Sequence, residues 1–238
     1  MRIALIGYGK MGKAIEEVAL QRGHEIVIKI DQPNLHEFTK ENLSTADVAI
    51  EFTSPESAFD NVIKCLGFQI PVVCGSTGWT ERIEEMKKFC TDSNGAFIYS
   101  SNYSVGVNIF FEINKKLAAL MAPHKEYEVI LEETHHTQKK DAPSGTAITL
   151  AEQILEHVKR KKQWVNELSD NPADLEIISQ RIDPAPGTHS IKYSSVIDDI
   201  EIIHTAHSRT GFATGSVLAA EFLKDKKGFY TMKDVLNF

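Results

Sequence analysis

The stretch "RIALIGYGKMGKAIEEVALQRGHEIVIKID", Arg2 to Asp31, decides the fold. A β-prone run from Arg2 to Ile6 passes through Gly7-Tyr8-Gly9-Lys10-Met11-Gly12 into "KAIEEVALQRG", where Ala14, Ile15, Val18 and Ala19 fall at helical spacing. A second β-prone run then ends at Asp31, and Gly23 suits the helix end before it. The unit is βαβ. In that context Gly7 permits the tight turn, Gly9 lets a pyrophosphate approach the backbone, and Gly12 lets helix and strand pack closely. Asp31 stands where an acidic side chain binds the hydroxyls of an adenosine ribose. The turn therefore reads as a dinucleotide site.

Farther along, the apolar runs "DVAIEF", "PVVCG" and "GAFIYS" alternate with the helical patterns "SPESAFDNVIKCL" and "TERIEEMKKFC". This alternation predicts an α/β, Rossmann-type doubly wound domain with a parallel sheet covered on both faces. Such sheets bind ligands at the carboxyl ends of their strands, which places Phe52-Thr53-Ser54-Pro55 and Gly75-Ser76-Thr77-Gly78 on the nicotinamide side. Ser54 followed by Pro55 also reads simply as a helix start. The two glycines around Ser76 and Thr77 expose backbone N–H groups.

Composition narrows the class. The 238 residues are 42% hydrophobic and 25% charged, ordinary for a globular protein and enough for one large domain or two modest ones. A net charge of -7 argues against a nucleic-acid partner, which needs a basic face. Cys65, Cys74 and Cys90 are odd in number and widely spaced, as free thiols in a reducing cytoplasm would be. The opening "MRIALIGYG" runs straight into a glycine turn, so neither a signal peptide nor a membrane span is expected there.

After "SSNYSVGVN" the pattern changes, with a boundary near Ser104. A helix is expected over Val107 to Met121, then a strand, "EYEVILEETHH", with Val129 and Leu131 on one side and Ile130 on the other. The segment "EETHHTQKKDAPSGTA", Glu132 to Ala147, is too polar for core and leads into a helix at "AITLAEQILEHV". Ser144 is its expected N-cap, and the free N–H groups beside Gly145 and Thr146 would accept a carboxylate or phosphate. His135 is the candidate acid or base, because an imidazole titrates near physiological pH. Lys139 is a second proton donor or a positive charge beside an anion, with His136 on the same approach. Metal ligation is not expected, since adjacent histidines rarely ligate together and no Cys or carboxylate stands at a usual ligand spacing. The strands "EIISQRI", "HSIKYSSV" and "IEIIHTAHSR" predict a second α+β domain with a mixed, mostly antiparallel sheet able to pair subunits. The final helix around "GSVLAAEFL" permits a return to the first domain. The expected organisation is a dinucleotide-binding domain, 1-104 with 213-238, and a substrate-binding and oligomerisation domain, 105-212.

These residues resemble a family. Glu133-x-His135-His136-x-x-Lys139-x-Asp141-Ala142-Pro143-Ser144-Gly145-Thr146-Ala147 is similar to the signature of the 4-hydroxy-tetrahydrodipicolinate reductases, the dihydrodipicolinate reductases of lysine and diaminopimelate biosynthesis. The resemblance extends to the Gly7 loop, Phe52-Thr53-x-Pro55, Gly75-x-Thr77-Gly78, Asn102 to Asn108 and His207-Ser208-Arg209, nearly the whole chain. It implies His135 as acid/base and Lys139 as proton donor, with His136, Lys139, Ser144, Gly145 and Thr146 at the substrate carboxylates. For the cofactor it implies Gly7, Tyr8, Gly9, Lys10, Met11, Gly12, Asp31, Phe52, Thr53, Gly75, Ser76, Thr77, Ser100, Ser101, Asn102 and Tyr103. The implied partner is a small cyclic imine dicarboxylate, the cofactor NADH or NADPH, the assembly a cytoplasmic homotetramer. Gln32 stands after Asp31 where some members have Arg near a 2′-phosphate, which favours NADH, while Lys10 could accommodate NADPH. The glycine loop is also a residue shorter than in many members. Arg181 is followed by Ile182-Asp183-Pro184 rather than the family's Arg-x-Gly, so that junction is expected to be rebuilt. The rival readings are another two-domain NAD(P)-dependent dehydrogenase, which would need a cysteine nucleophile or a lysine–aspartate pair, and a non-catalytic dinucleotide sensor, which leaves the His-His-Lys loop unexplained.

Overall fold

A computed structural model describes residues 1–238. The chain opens with β1 (Arg2–Ile6), α1 (Lys10–Gln21) and β2 (Glu25–Ile30), then a 3-10 turn over Gln32–Glu37 and a short helix α2 (Lys40–Leu43). It continues through β3 (Val48–Glu51), α3 (Pro55–Gly67), β4 (Val72–Cys74), α4 (Ile83–Asp92), β5 (Ala96–Tyr99) and α5 (Val105–Met121). Next come β6 (Glu128–His135), α6 (Gly145–His157), β7 (Gln163–Val165), β8 (Asp174–Arg181), β9 (Gly187–Ser194) and β10 (Asp199–Ala206), and the chain closes with α7 (Thr210–Leu223), β11 (Gly228–Tyr230) and α8 (Met232–Leu236).

Two compact units result, Met1–Val105 with Arg209–Phe238, and Gly106–Ser208. The second crossing comes at Arg209 rather than 213, because α7 already starts at Thr210. In the first unit six parallel strands stand in the order β11-β5-β4-β3-β1-β2. Alternate residues of each strand feed opposite faces. Ala4, Ile6, Ala49, Val72 and Phe97 pack with Ala58, Val62 and Leu66 of α3 and Met86 of α4. Ile3, Leu5, Val48, Ile50, Val73 and Ile98 pack with Ile15 and Val18 of α1 and with Ala213, Val217 and Leu223 of α7. Both faces are therefore covered, as the unbroken apolar strands required. Gly23 follows α1 at φ +79, the left-handed conformation that ends a helix. Ser54 occupies the N-cap position of α3 with Pro55 behind it, but its hydroxyl meets Ser57 at 3.1 Å instead of capping the helix.

The second unit holds a five-stranded sheet, β10-β9-β6-β8-β7. β9 runs antiparallel to β10 and β6, whereas β8 runs parallel to β6 and β7. The sheet is mixed, with a larger parallel share than its long strands suggested. The reason is two returns of the chain: the crossover through α6 brings β7 back to the end where β6 began, and residues 166–173 do the same for β8, so both run with β6. The buried positions of β6 and β9 alternate strictly. Val129, Leu131, Ile177, Ile191 and Tyr193 form the core with Phe110 and Met121 of α5 and with Leu150 and Ile154 of α6.

Helix α7 lies close to the segment after β5 at one glycine. A Cβ on Gly215 would fall 1.7 Å from the carbonyl oxygen of the buried Tyr103, so helix or loop would have to move. Gly215→Ala is expected to lower stability by about 1–3 kcal/mol, the usual cost of overpacking. Urea unfolding measures this as a lower midpoint at constant slope; an unchanged midpoint would mean that the helix is not held at that distance.

Candidate functional site

The turn between β1 and α1 is shaped by what its glycines exclude. Gly7 has φ +94, and a Cβ there would lie 2.1 Å from the Phe52 carbonyl oxygen; one on Gly12 would lie 2.3 Å from that of Gly7. At Gly9 nothing stands within 4 Å, so the backbone there is open to a ligand. Gly9 is also the N-cap of α1, which has no side-chain cap and no acidic residue in its first turn. Its free N–H groups and positive dipole end are thus available to a pyrophosphate. Lys10 is exposed and Met11 half-buried beside them. Tyr8 is engaged elsewhere. Its hydroxyl donates to Glu16 and accepts from Lys29 at 3.2 Å, while Lys29 also pairs with Glu16 at 2.6 Å. Asp31 ends this arm, half-buried, with one carboxylate oxygen accepting from the Gln32 N–H at 2.9 Å. These residues fit a dinucleotide.

The strand-end groups divide into exposed and structural ones. Thr53, Thr77 and Ser101 are exposed, Phe52 and Ser100 half-buried. Ser76 is buried, its hydroxyl accepting from the Thr53 N–H at 2.8 Å. Buried Glu51 holds the same turn, accepting from the Thr53 N–H at 3.1 Å and from the Cys74 thiol at 3.0 Å. Gly75 is a glycine because a Cβ would overlap the Phe52 ring at 2.1 Å. The Asn102 carboxamide accepts from the Ser104 N–H at 2.9 Å, and Ser100 donates to the Asn102 carbonyl at 2.7 Å. Tyr103 is 2% exposed, and its hydroxyl donates to the Cys74 carbonyl at 2.7 Å, so its side chain is core behind Phe52.

In the second unit, the inward face of β6 runs from Val129 and Leu131 to Glu133 and His135, and the register sets His189 of β9 directly opposite Glu133. The Glu133 side chain is fully buried. It accepts from the Ser144 N–H at 3.1 Å, the Ser179 hydroxyl at 2.8 Å and the Arg181 guanidinium at 3.1 Å, with His135 Nε2 at 3.5 Å and His189 Nε2 at 3.6 Å. Burial by itself would raise this carboxyl, but hydrogen bonds from His135, His189, Ser144 and Ser179 outweigh it and hold the group far below the usual carboxylate range. Burial likewise pushes His189 below the ordinary imidazole value, against the pull of Glu133. Sequence reading passed over Glu133, Ser179, Arg181 and His189 as site residues. The available signal was a carboxylate and an imidazole at alternate positions on a strand face that is otherwise core.

The fold also corrects the reading of metal spacing. Glu133, two residues before His135, shares its strand face, and with His189 their ligand atoms lie within 4.8 Å of one another.

The loop after β6 reaches α6 as expected. Ser144 is the N-cap, its hydroxyl accepting from the Ala147 N–H at 3.2 Å, and the space around Gly145 is open. Thr146 is half-buried beside it. His136 is half-buried, with an Nδ1 that has no partner. Lys139 does not point to an open anion site; its ammonium is 2.7 Å from Asp141, whose carbonyl oxygen Arg181 holds at 2.5 Å. The Arg181 to Pro186 junction is tied to the loop after β6. Asp183 accepts from the Thr137 N–H at 3.1 Å and hydroxyl at 2.6 Å, pinning the loop one residue past His136, and the Asp183-Pro184 peptide is cis, as is Ala142-Pro143.

A parallel sheet with an open glycine turn, and a second unit with a histidine cluster, together define a two-unit oxidoreductase of the nicotinamide-dinucleotide class. Solved structures share the fold. A dipicolinate-bound dihydrodipicolinate reductase from Paenisporosarcina sp. TG-14 superposes with a TM-score of 0.76 at 23% identity, over 97% of each chain. An amine dehydrogenase from Mycobacterium smegmatis gives 0.62 at 10% identity, over 98% of this chain and 95% of that one. Residues 1–103 match the family model of the dihydrodipicolinate reductase N-terminus and residues 106–236 that of its C-terminus. A 4-hydroxy-tetrahydrodipicolinate reductase of Christiangramia forsetii is 49% identical, covering 100% of this chain and 98% of its own. One from Staphylococcus carnosus is 35% identical over the full length of both. The chain belongs to the dihydrodipicolinate reductase family.

The Glu133 network carries its own test. Removing one partner of a buried ionic cluster strands the others, at about 3–5 kcal/mol. Glu133→Ala should show a loss of that size in denaturant unfolding, with Arg181 and His189 left without their carboxylate; a loss under about 1 kcal/mol would contradict the buried network.

Proposed function

We propose that this chain carries out the family's reaction, reduction of 4-hydroxy-tetrahydrodipicolinate to tetrahydrodipicolinate in diaminopimelate and lysine biosynthesis, with His135 as acid/base and Lys139 as second proton donor. The observation that carries the residue assignment is that one short segment, His135 to Thr146, joins an imidazole anchored on a buried carboxylate to an open helix N-terminus. The N–H groups at Gly145 and Thr146, with His136 and Lys139, suit the two carboxylates of a cyclic imine diacid. Lys139 would exchange Asp141 for the substrate. Glu133 orients His135 and offsets the positive charge it carries before releasing a proton, as a buried carboxylate does for a catalytic imidazole elsewhere.

The glycine turn from Gly7 to Gly12 and Asp31 would hold the dinucleotide, with Phe52, Thr53, Gly75 to Thr77 and Ser100 to Asn102 toward the nicotinamide, which when bound supplies the hydride that reaches C4 after water has left. His135 and Lys139 then deliver the proton to C3. A cysteine-based dehydrogenase mechanism is disfavoured, because all three thiols are buried, and burial raises each thiol's pKa. Those free thiols suit the cytoplasm, and no helix is long and apolar enough to cross a membrane. A homotetramer is the assembly the resemblance implies.

His135→Gln is expected to cut kcat by about 10²–10⁴-fold, the usual contribution of a general acid, with cofactor binding retained. The assay follows NAD(P)H absorbance with imine generated in situ by its synthase; near-normal turnover would take His135 out of the reaction. NADH is the favoured cofactor, because Asp31 offers its carboxylate to ribose hydroxyls and a 2′-phosphate would be repelled there. Asp31→Ala should weaken NADH more than NADPH by fluorescence titration, and an equal loss of both would show that the carboxylate does not read the ribose.

A further inference from the structure

Three donor atoms on the inward face of the second sheet form a nearly equilateral triangle. His135 Nε2 is 3.4 Å from His189 Nε2 and 3.5 Å from Glu133 Oε2, and His189 Nε2 is 3.6 Å from that same oxygen. Ligands of a tetrahedral zinc ion, at metal distances of 2.0–2.2 Å, stand about 3.3–3.6 Å apart. The match is fixed by backbone, since Glu133 and His135 alternate on β6 and His189 is the cross-strand partner of Glu133.

Hydrogen bonding alone serves this arrangement poorly. Three groups converge on His189 Nε2, because the Ser144 hydroxyl also lies 3.1 Å away, yet that nitrogen carries at most one proton. The opposite nitrogen, Nδ1, is buried without a partner in a residue only 4% exposed. On the carboxylate, Ser179 and Arg181 take Oε1 and leave Oε2 turned toward the histidines and the Ser144 N–H. A cation among the three atoms would satisfy them together, with its fourth position left to water.

We propose that Glu133, His135 and His189 bind a divalent first-row transition ion of the zinc class, and that its binding inhibits the enzyme. Two imidazoles and one carboxylate suit zinc or cobalt, whereas magnesium and calcium prefer oxygen ligands. An ion on Nε2 separates His135 from Glu133, the contact that orients it for proton transfer.

The test uses the full chain, freed of metal by chelator and titrated with Co²⁺, whose visible absorption reports tetrahedral ligation. One equivalent should bind and be displaced by Zn²⁺. His189→Asn should weaken Co²⁺ by about 100-fold or more, at least as much as loss of a supporting group, while His136→Asn leaves it unchanged. In case His189→Asn does not fold, imidazole ¹⁵N signals of the wild-type chain give a second readout: those of His135 and His189 must both shift with one equivalent of Zn²⁺. No stoichiometric binding, equal binding by the His189 variant, or shifts confined to other histidines would each overturn the site. Imine reduction should stop at the Zn²⁺ concentration that fills the site and recover with EDTA; full activity of the loaded enzyme overturns the inhibition. Only this last arm rests on the reductase reading. A chain that binds Co²⁺ as described but never reduces the imine, with or without metal, sinks that reading and leaves the site in place.

Discussion

A carboxylate with no exposure to solvent must be surrounded by donors, and the second unit is arranged around that requirement at Glu133. Its partners come from four places in the chain: His135 from the same strand, Ser144 from the start of α6, Ser179 and Arg181 from β8, and His189 from β9. Each is thereby fixed relative to the others. The His135 imidazole, the open helix end and the strand that follows are coupled through one charge, so the loop inherits the rigidity of the sheet beneath it. Arg181 adds a further tie by reaching the carbonyl of Asp141, whose side chain pairs with Lys139. A loop of polar residues would otherwise have few reasons to hold one shape.

The first unit meets a different constraint, the closeness of backbone to backbone. Gly7 and Gly12 are required by neighbouring carbonyl oxygens, whereas Gly9 faces open space. Two of the three glycines thus build the turn and the third leaves it open. Gly75 serves packing in the same direct way, by making space for the Phe52 ring. Behind it Tyr103 and Glu51 are interior supports for the loops at the strand ends.

Much of this was legible in the residues. The glycine spacing and apolar runs determine the parallel sheet, because a strand buried on both faces has no polar side to disguise it. The cap at Ser144 and its open neighbour were equally plain, since helix starts have strong side-chain preferences. Short elements were not: β7 and β11 have three residues each, too few to show a period, and without β7 one of the two parallel pairs of the second sheet was missed. The histidine cluster depended on register, which joins residues more than fifty positions apart and leaves no local trace. Lys139 lies on the loop between β6 and α6 as expected, but its pairing with Asp141 depends on side-chain geometry that a linear pattern does not carry.

The second unit is inserted into the first, between Val105 and Arg209, and this orders events during synthesis. One face of the parallel sheet is covered partly by α7, and the edge of β5 is occupied by β11, both of which lie beyond about a hundred residues of intervening chain. At translation rates of about 5–20 residues per second, those apolar surfaces wait roughly 5–20 s for their cover. The nascent first unit therefore spends that interval with Ile3, Leu5, Val48 and Ile98 half-clad and a strand edge unpaired, a surface that ribosome-associated chaperones are suited to shield.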